Sequence, residues 1–144
     1  MGRDAELAIL TEAVVKAIHG SGSAWLIGGE SGIGKSRLLE EVRTEALVRG
    51  ALVLRGQAES SGSDAYGVWR DILRALCLQV ELTPLGAGVL KPLLPDLAAL
   101  LDEEVADAPK LDAQSARLRL LNTVESLILK LANQPTLLLF EDLH

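Results

Sequence analysis

The chain has 144 residues, 49% of them hydrophobic and 24% charged, which suffices for one globular domain and excludes a disordered polymer. Its net charge of -6 excludes general affinity for nucleic-acid backbones or anionic membranes, which repel a polyanion except at a basic patch that this sequence lacks. A single cysteine, Cys77, excludes an intramolecular disulfide, and aromatics at 3% leave Leu, Val, Ile and Ala to fill a core of helices packed on a buried sheet.

The opening "MGRDAELAIL" carries charges where a signal peptide needs its apolar core, and the longest apolar stretch, 85–101, is broken by Lys91, Pro92, Pro95 and Asp96. A soluble, cytoplasmic protein is expected. Leu7, Leu10, Val14 and Ile18 recur at three- and four-residue steps, which predicts a helix over 4–19 with Asp4 as N-cap, His19 as a favourable end residue and Gly20 as its stop. "AWLI" at 24–27 reads as a buried strand running into a tight turn at Gly28 and Gly29. A second helix follows with Leu38, Leu39, Val42 and Ala46 as its stripe, Glu45 and Arg49 paired on the polar side, and Gly50 closing it. "ALVLRG" at 51–56 is then a second strand. Strand, glycine turn, helix and strand in this order form a βαβ unit, with parallel strands and a right-handed crossover.

A polar loop, "QAESSGSD", leads into a helical insert over 64–132. It opens with a helix at 66–80 whose buried face is Trp69, Ile72, Leu73, Leu76 and Val80, with Cys77 as a small buried thiol. Short helices and turns are expected around Pro84, Pro92, Pro95 and Pro109, with the acidic run 102–107 as a solvated loop. A long helix from Asp112 to about Leu131 aligns Leu118, Leu121, Val124, Ile128 and Leu131. Pro135 and "TLLLFED" then predict an acid-bearing strand over 136–142.

The stretch "GESGIGKS" at 29–36 has the spacing Gly, any four, Gly, Lys, Ser or Thr. Glycines let successive N–H groups turn inward on phosphates, and the helix that follows adds its positive end. Gly29, Glu30, Ser31, Gly32, Ile33, Gly34, Lys35 and Ser36, with Arg37 after them, are the expected nucleotide-binding residues. Lys35 would reach the β- and γ-phosphates and the Ser36 hydroxyl would ligate Mg²⁺. A phosphate loop also needs an acid on a neighbouring strand to complete the metal shell and orient water, and Glu141 and Asp142 are the candidates for both tasks. "DAYG" at 64–67 imitates a GTPase signature, but no guanine motif follows it. His144 remains open between a site residue and an exposed terminus.

"GRDAEL", "GGESGIGKSRLLEEV", "LRGQAESSGSDAYGVWRDIL" and "LLLFEDLH" together resemble the N-terminal half of an AAA-type ATPase domain of bacterial signal-transduction ATPases. Those are similar to origin-recognition ATPases and to the large STAND-class regulators of transcription and signalling. The resemblance implies an α/β P-loop NTPase three-layer sandwich with a mostly parallel sheet, in which 29–36 is the Walker A loop and Glu141 and Asp142 are the Walker B acids. It implies ATP and Mg²⁺ as cofactors, and it places Arg3, in the signature Gly2, Arg3, Asp4, near the adenine.

The family's acids run Asp then Asp or Glu, whereas Glu141 here precedes Asp142; by position Glu141 takes the metal and Asp142 the base role, and by side-chain length the two exchange. The resemblance also implies a fourth strand, a polar sensor, an arginine and a helical lid after His144. Their absence from this sequence predicts an incomplete sheet, either gapped or re-paired, in a fragment of a larger chain. The expected function is ATP–Mg²⁺ binding with little or no hydrolysis. The alternatives are a P-loop kinase for a small molecule, or a non-binding fragment that self-associates through its open sheet.

Overall fold

The computed structural model describes residues 3–58 and 66–143. In chain order they form α1 (Asp4–Ile18), α2 (Lys35–Val48), β1 (Leu52–Gln57), α3 (Gly67–Gln79), α4 (Pro84–Leu90), α5 (Leu97–Leu101), α6 (Ala113–Leu129) and β2 (Thr136–Glu141). Gly2, the loop at 59–65 with the first half of "DAYG", and His144 lie outside the described residues.

β1 and β2 pair in parallel, in register from Leu52 opposite Thr136 to Gln57 opposite Glu141. Successive side chains of a strand point to opposite faces, so each strand serves two cores. On one face Val53 and Leu137 pack against a cluster of Leu10 and Val14 from α1, Leu38, Val42 and Ala46 from α2, and Ala51. On the other, Leu52, Leu54, Leu138 and Phe140 meet a larger cluster drawn from α3 to α6, in which Ile72, Leu73, Leu76, Leu90, Leu94 and Leu97 are fully buried. The fold is therefore α/β, with helices on both faces of a small, open parallel sheet. The rings of Trp69 and Phe140 meet edge to face at 4.8 Å, joining α3 to β2.

Local chemistry sets the ends of the helices. Both α1 and α2 finish in paired backbone bonds around a left-handed glycine: Gly20 N–H to Ala17 and Ser21 N–H to Lys16, then Gly50 N–H to Leu47 and Ala51 N–H to Ala46. His19 Nδ1 donates to the Val15 carbonyl at 2.7 Å, and Arg49 pairs with Glu45. Asp112 accepts from the Ser115 N–H at 3.0 Å, and Thr83 accepts from Gly86, giving α6 and α4 true N-caps. Because only Arg49 to Ala51 join α2 to β1, the helix runs back alongside the strand, and its first turn lies at the carboxyl end of the sheet.

Four expectations are corrected. Residues 24–27 form no strand: among the described residues none pairs with them, and Trp25 and Leu26 are 57% and 91% exposed. A run of apolar residues becomes a buried strand only where a ladder partner accepts its N–H and C=O groups, and β2 pairs instead with β1. Among the described residues the sheet is open and has two strands, β1 and β2. Asp4 is the first helical residue of α1 rather than its N-cap, with Arg3 in the cap position and no side-chain cap bond. Leu118 and Leu121 are exposed, because α6 turns Leu127 and the partly buried Val124 and Ile128 to the core. The acidic run 102–107 is not simply solvated: Val105 is buried, and Lys91 Nζ bonds its carbonyl at 2.9 Å and Asp107 at 2.7 Å. Among the described residues no helix is long and apolar enough to cross a membrane.

Gly56 sits on the α3 face of β1, and an added Cβ there would run into the Val68 carbonyl oxygen. Gly56→Ala is expected to cost about 1–3 kcal/mol in urea unfolding by overpacking, while Gly22→Ala, with open space around it, stays within about 0.5 kcal/mol. Burial pushes the Cys77 thiol up to about 11. The native chain should therefore resist iodoacetamide at neutral pH and react only once unfolded, a contrast that mass spectrometry reads directly.

Candidate functional site

The loop from Gly28 to Gly34 leads directly into α2 at Lys35. Gly32 and Gly34 hold φ of 79° and 92°, the left-handed region that turns consecutive peptide N–H groups toward one side, and nothing lies within 4 Å of where a side chain on either would begin. Gly34 is the residue on which the helix starts, so the unpaired N–H groups of its first turn and its positive dipole end open toward the loop. Lys35 folds back across that loop, its ammonium donating to the carbonyls of Gly29 at 2.7 Å and Glu30 at 2.8 Å. Loop residues Glu30, Ser31 and Ile33, together with Ser36 and Arg37 in the first turn, are exposed.

Arg3 comes to the same place. Its Nη2 lies 3.8 Å from the position a Cβ on Gly29 would take, and Arg3, Asp4, Ile33, Gly34, Arg37 and Glu41 line a pocket of about 270 Å³ beside the loop. Arg37 pairs along the helix with Glu41 at 3.0 Å.

The two acids stand at the carboxyl end of β2. Glu141 is buried, at 7% exposure, on the face of the sheet that meets α2. One of its oxygens, Oε2, accepts from Arg55 Nη2 at 2.7 Å, while Oε1 is buried without a hydrogen-bond partner. Asp142 is exposed, has a φ of 56°, and accepts from Gln57 Nε2 at 2.6 Å. Arg55 also reaches α2: its Nη1 donates to Glu40 Oε1 at 2.7 Å, and Glu40 Oε2 in turn accepts from Arg43 at 3.3 Å. The hydrogen bond to Glu141 is the main cause that raises the Arg55 guanidinium above its ordinary range. The span of one arginine thus joins the helix that carries the phosphate loop to the strand that carries the acids.

Arg55, Gln57 and Glu40 were not among the residues the motif pattern singles out. Strand parity puts the polar residues at 55 and 57 of "LVLRGQ" on one face, but only the observed register makes that the face of Glu141, and nothing in the sequence marks Glu40.

The donor set suits a hard divalent cation beside a phosphate. Ser36, Glu141 and Asp142 offer oxygen only, and the orphaned Oε1 of Glu141 is a buried acceptor that a cation or its water would satisfy. A glycine loop that opens a helix packed on a parallel sheet, with acids at the carboxyl end of one strand, is the arrangement of a P-loop nucleotide-binding module. The family model of the AAA ATPase domain matches residues 1–144, and the chain belongs to that family. No curated protein and no solved structure matches it.

Because Gly34 owes its place to backbone conformation alone, Gly34→Ala is expected to cost about 1–2 kcal/mol, the penalty of a left-handed L-residue, measured as a shift in the urea midpoint.

Proposed function

We propose that the chain is the ATP–Mg²⁺-binding module of a signal-transduction or transcriptional regulator, and that these residues alone hydrolyse ATP little or not at all. The observation that carries the binding half is the loop itself: left-handed glycines at 32 and 34 and an open helix end, with Lys35 lying across them. In this reading the N–H groups of Gly29 to Ser36 surround the β- and γ-phosphates, and Lys35 adds its charge there. Arg37 stands at the edge of the same cradle, and Arg3 with the adjoining pocket takes the base. Ser36 and Glu141 hold the metal, with Asp142 beside them to orient water. The cation would supply charge neutralisation between the phosphates.

Two features of the site support binding without turnover. Asp142 lies in open solvent and its carboxylate is engaged by Gln57, a partner it would have to give up, at least in part, to orient a water. The loop is equally open, whereas electrostatic stabilisation of a transferring phosphoryl group depends on preorganised donors in a water-excluded site. In a regulator of this kind such a module would couple nucleotide binding and slow hydrolysis to a change of conformation or assembly.

Equilibrium titration with a ribose-labelled fluorescent ATP should show saturable binding that Lys35→Ala weakens about 10- to 100-fold, the equivalent of losing a charged hydrogen bond of roughly 1.5–3 kcal/mol. No binding by the native chain overturns the binding assignment. Phosphate release above background that Lys35→Ala abolishes overturns the assignment of little or no hydrolysis.

A further inference from the structure

Glu141 carries an unusual load for a metal-side acid. It is buried, it is one methylene longer than the Asp expected there, and its two oxygens are treated differently: Oε2 is held by Arg55 and Oε1 by nothing. Arg55 is in turn fixed at two points, Glu141 on β2 and Glu40 on α2, both at 2.7 Å. A guanidinium has a rigid planar fork, so two anchored nitrogens fix the plane and hence the carboxylate that one of them holds. A flexible Glu side chain without that hold would sample several rotamers.

We infer that Arg55 is a positioning residue for the divalent cation, clamping Glu141 through the bridge to Glu40 so that Oε1 alone is presented to the metal or to its bound water. This rests on the assignment of Glu141 as the metal-side acid. The clamp has two consequences. Glu141 acts through one oxygen rather than as a bidentate ligand, and the site's grip on the cation depends on Glu40, a residue of α2 that is far too removed in sequence from the acids to be suspected from the motifs. It also connects the cation to the phosphate loop through α2, since Glu40 sits on the second turn of the helix that the loop opens.

The test is the ratio of ATP-analogue affinities measured in excess Mg²⁺ and in EDTA, by titration of the ribose-labelled analogue. Arg55→Lys keeps the charge but loses the fork, and is expected to lower that ratio about tenfold, as changes to the partners of metal ligands do. Glu40→Ala, on the partly exposed face of α2, leaves Arg55 with one anchor and is expected to lower the ratio about threefold. A merely structural arginine would shift both affinities together and leave the ratio untouched. An unchanged ratio in Arg55→Lys overturns the inference; should that variant fail to fold, an unchanged ratio in Glu40→Ala does so. Native chain that binds nucleotide with no dependence on Mg²⁺ overturns the metal role of Glu141 and the clamp with it, while leaving the phosphate loop standing. Native chain that binds no nucleotide overturns the site as a whole.

Discussion

The hydrogen-bonded ladder between Leu52–Gln57 and Thr136–Glu141 carries everything else in this molecule. The strands are joined by the whole helical segment from α3 to α6, and their pairing decides what that segment packs against. A slip of β1 by one residue against β2 would exchange the faces of β1, sending Val53 into the α3 side and turning Arg55 away from Glu40 and Glu141. The register that buries two separate sets of leucines and valines is therefore also the register that assembles the polar end of the sheet.

The two faces do different work. The α3–α6 side holds the larger core, with six side chains essentially removed from solvent and Gly56 kept free of a side chain so that α3 can approach the strand backbone. The α1–α2 side is smaller, and its apolar cluster gives way at the carboxyl end of the strands to Arg55, Glu40, Glu141, Gln57 and Asp142. The larger core lies on one layer and the cluster of polar and charged side chains at the end of the strands on the other. Burial of that kind anchors a site while leaving its loop free to meet a ligand.

Much of this was legible in the sequence, and for identifiable reasons. The helices whose apolar residues recur at three and four steps stand close to where that periodicity puts them, and Gly20 and Gly50 end two of them through bonds that only a left-handed residue allows. The phosphate loop was legible because each of its fixed positions answers a separate backbone or charge requirement. What periodicity cannot see is whether a partner is present. "AWLI" has the composition of a buried strand and lacks a ladder; Leu118 and Leu121 fall on an apolar stripe wider than the surface that packs on it. Arg55 was hidden for the opposite reason, since its two partners lie 15 and 86 residues away and only the register brings them together.

The inverted order of the acids, Glu before Asp, acquires a cause in the backbone that follows β2. Position 142 has a φ of 56°, where long and β-branched side chains are strained and Asp and Asn are the best tolerated after glycine. The turn thus selects the short acid at 142, and the buried site at 141, with an arginine to steady it, is the one that can accommodate the long one. In terms of substitution tolerance, Asp142 has Asn as its conservative replacement, whereas a Glu at that position would set side-chain chemistry against the direction in which the chain leaves the sheet.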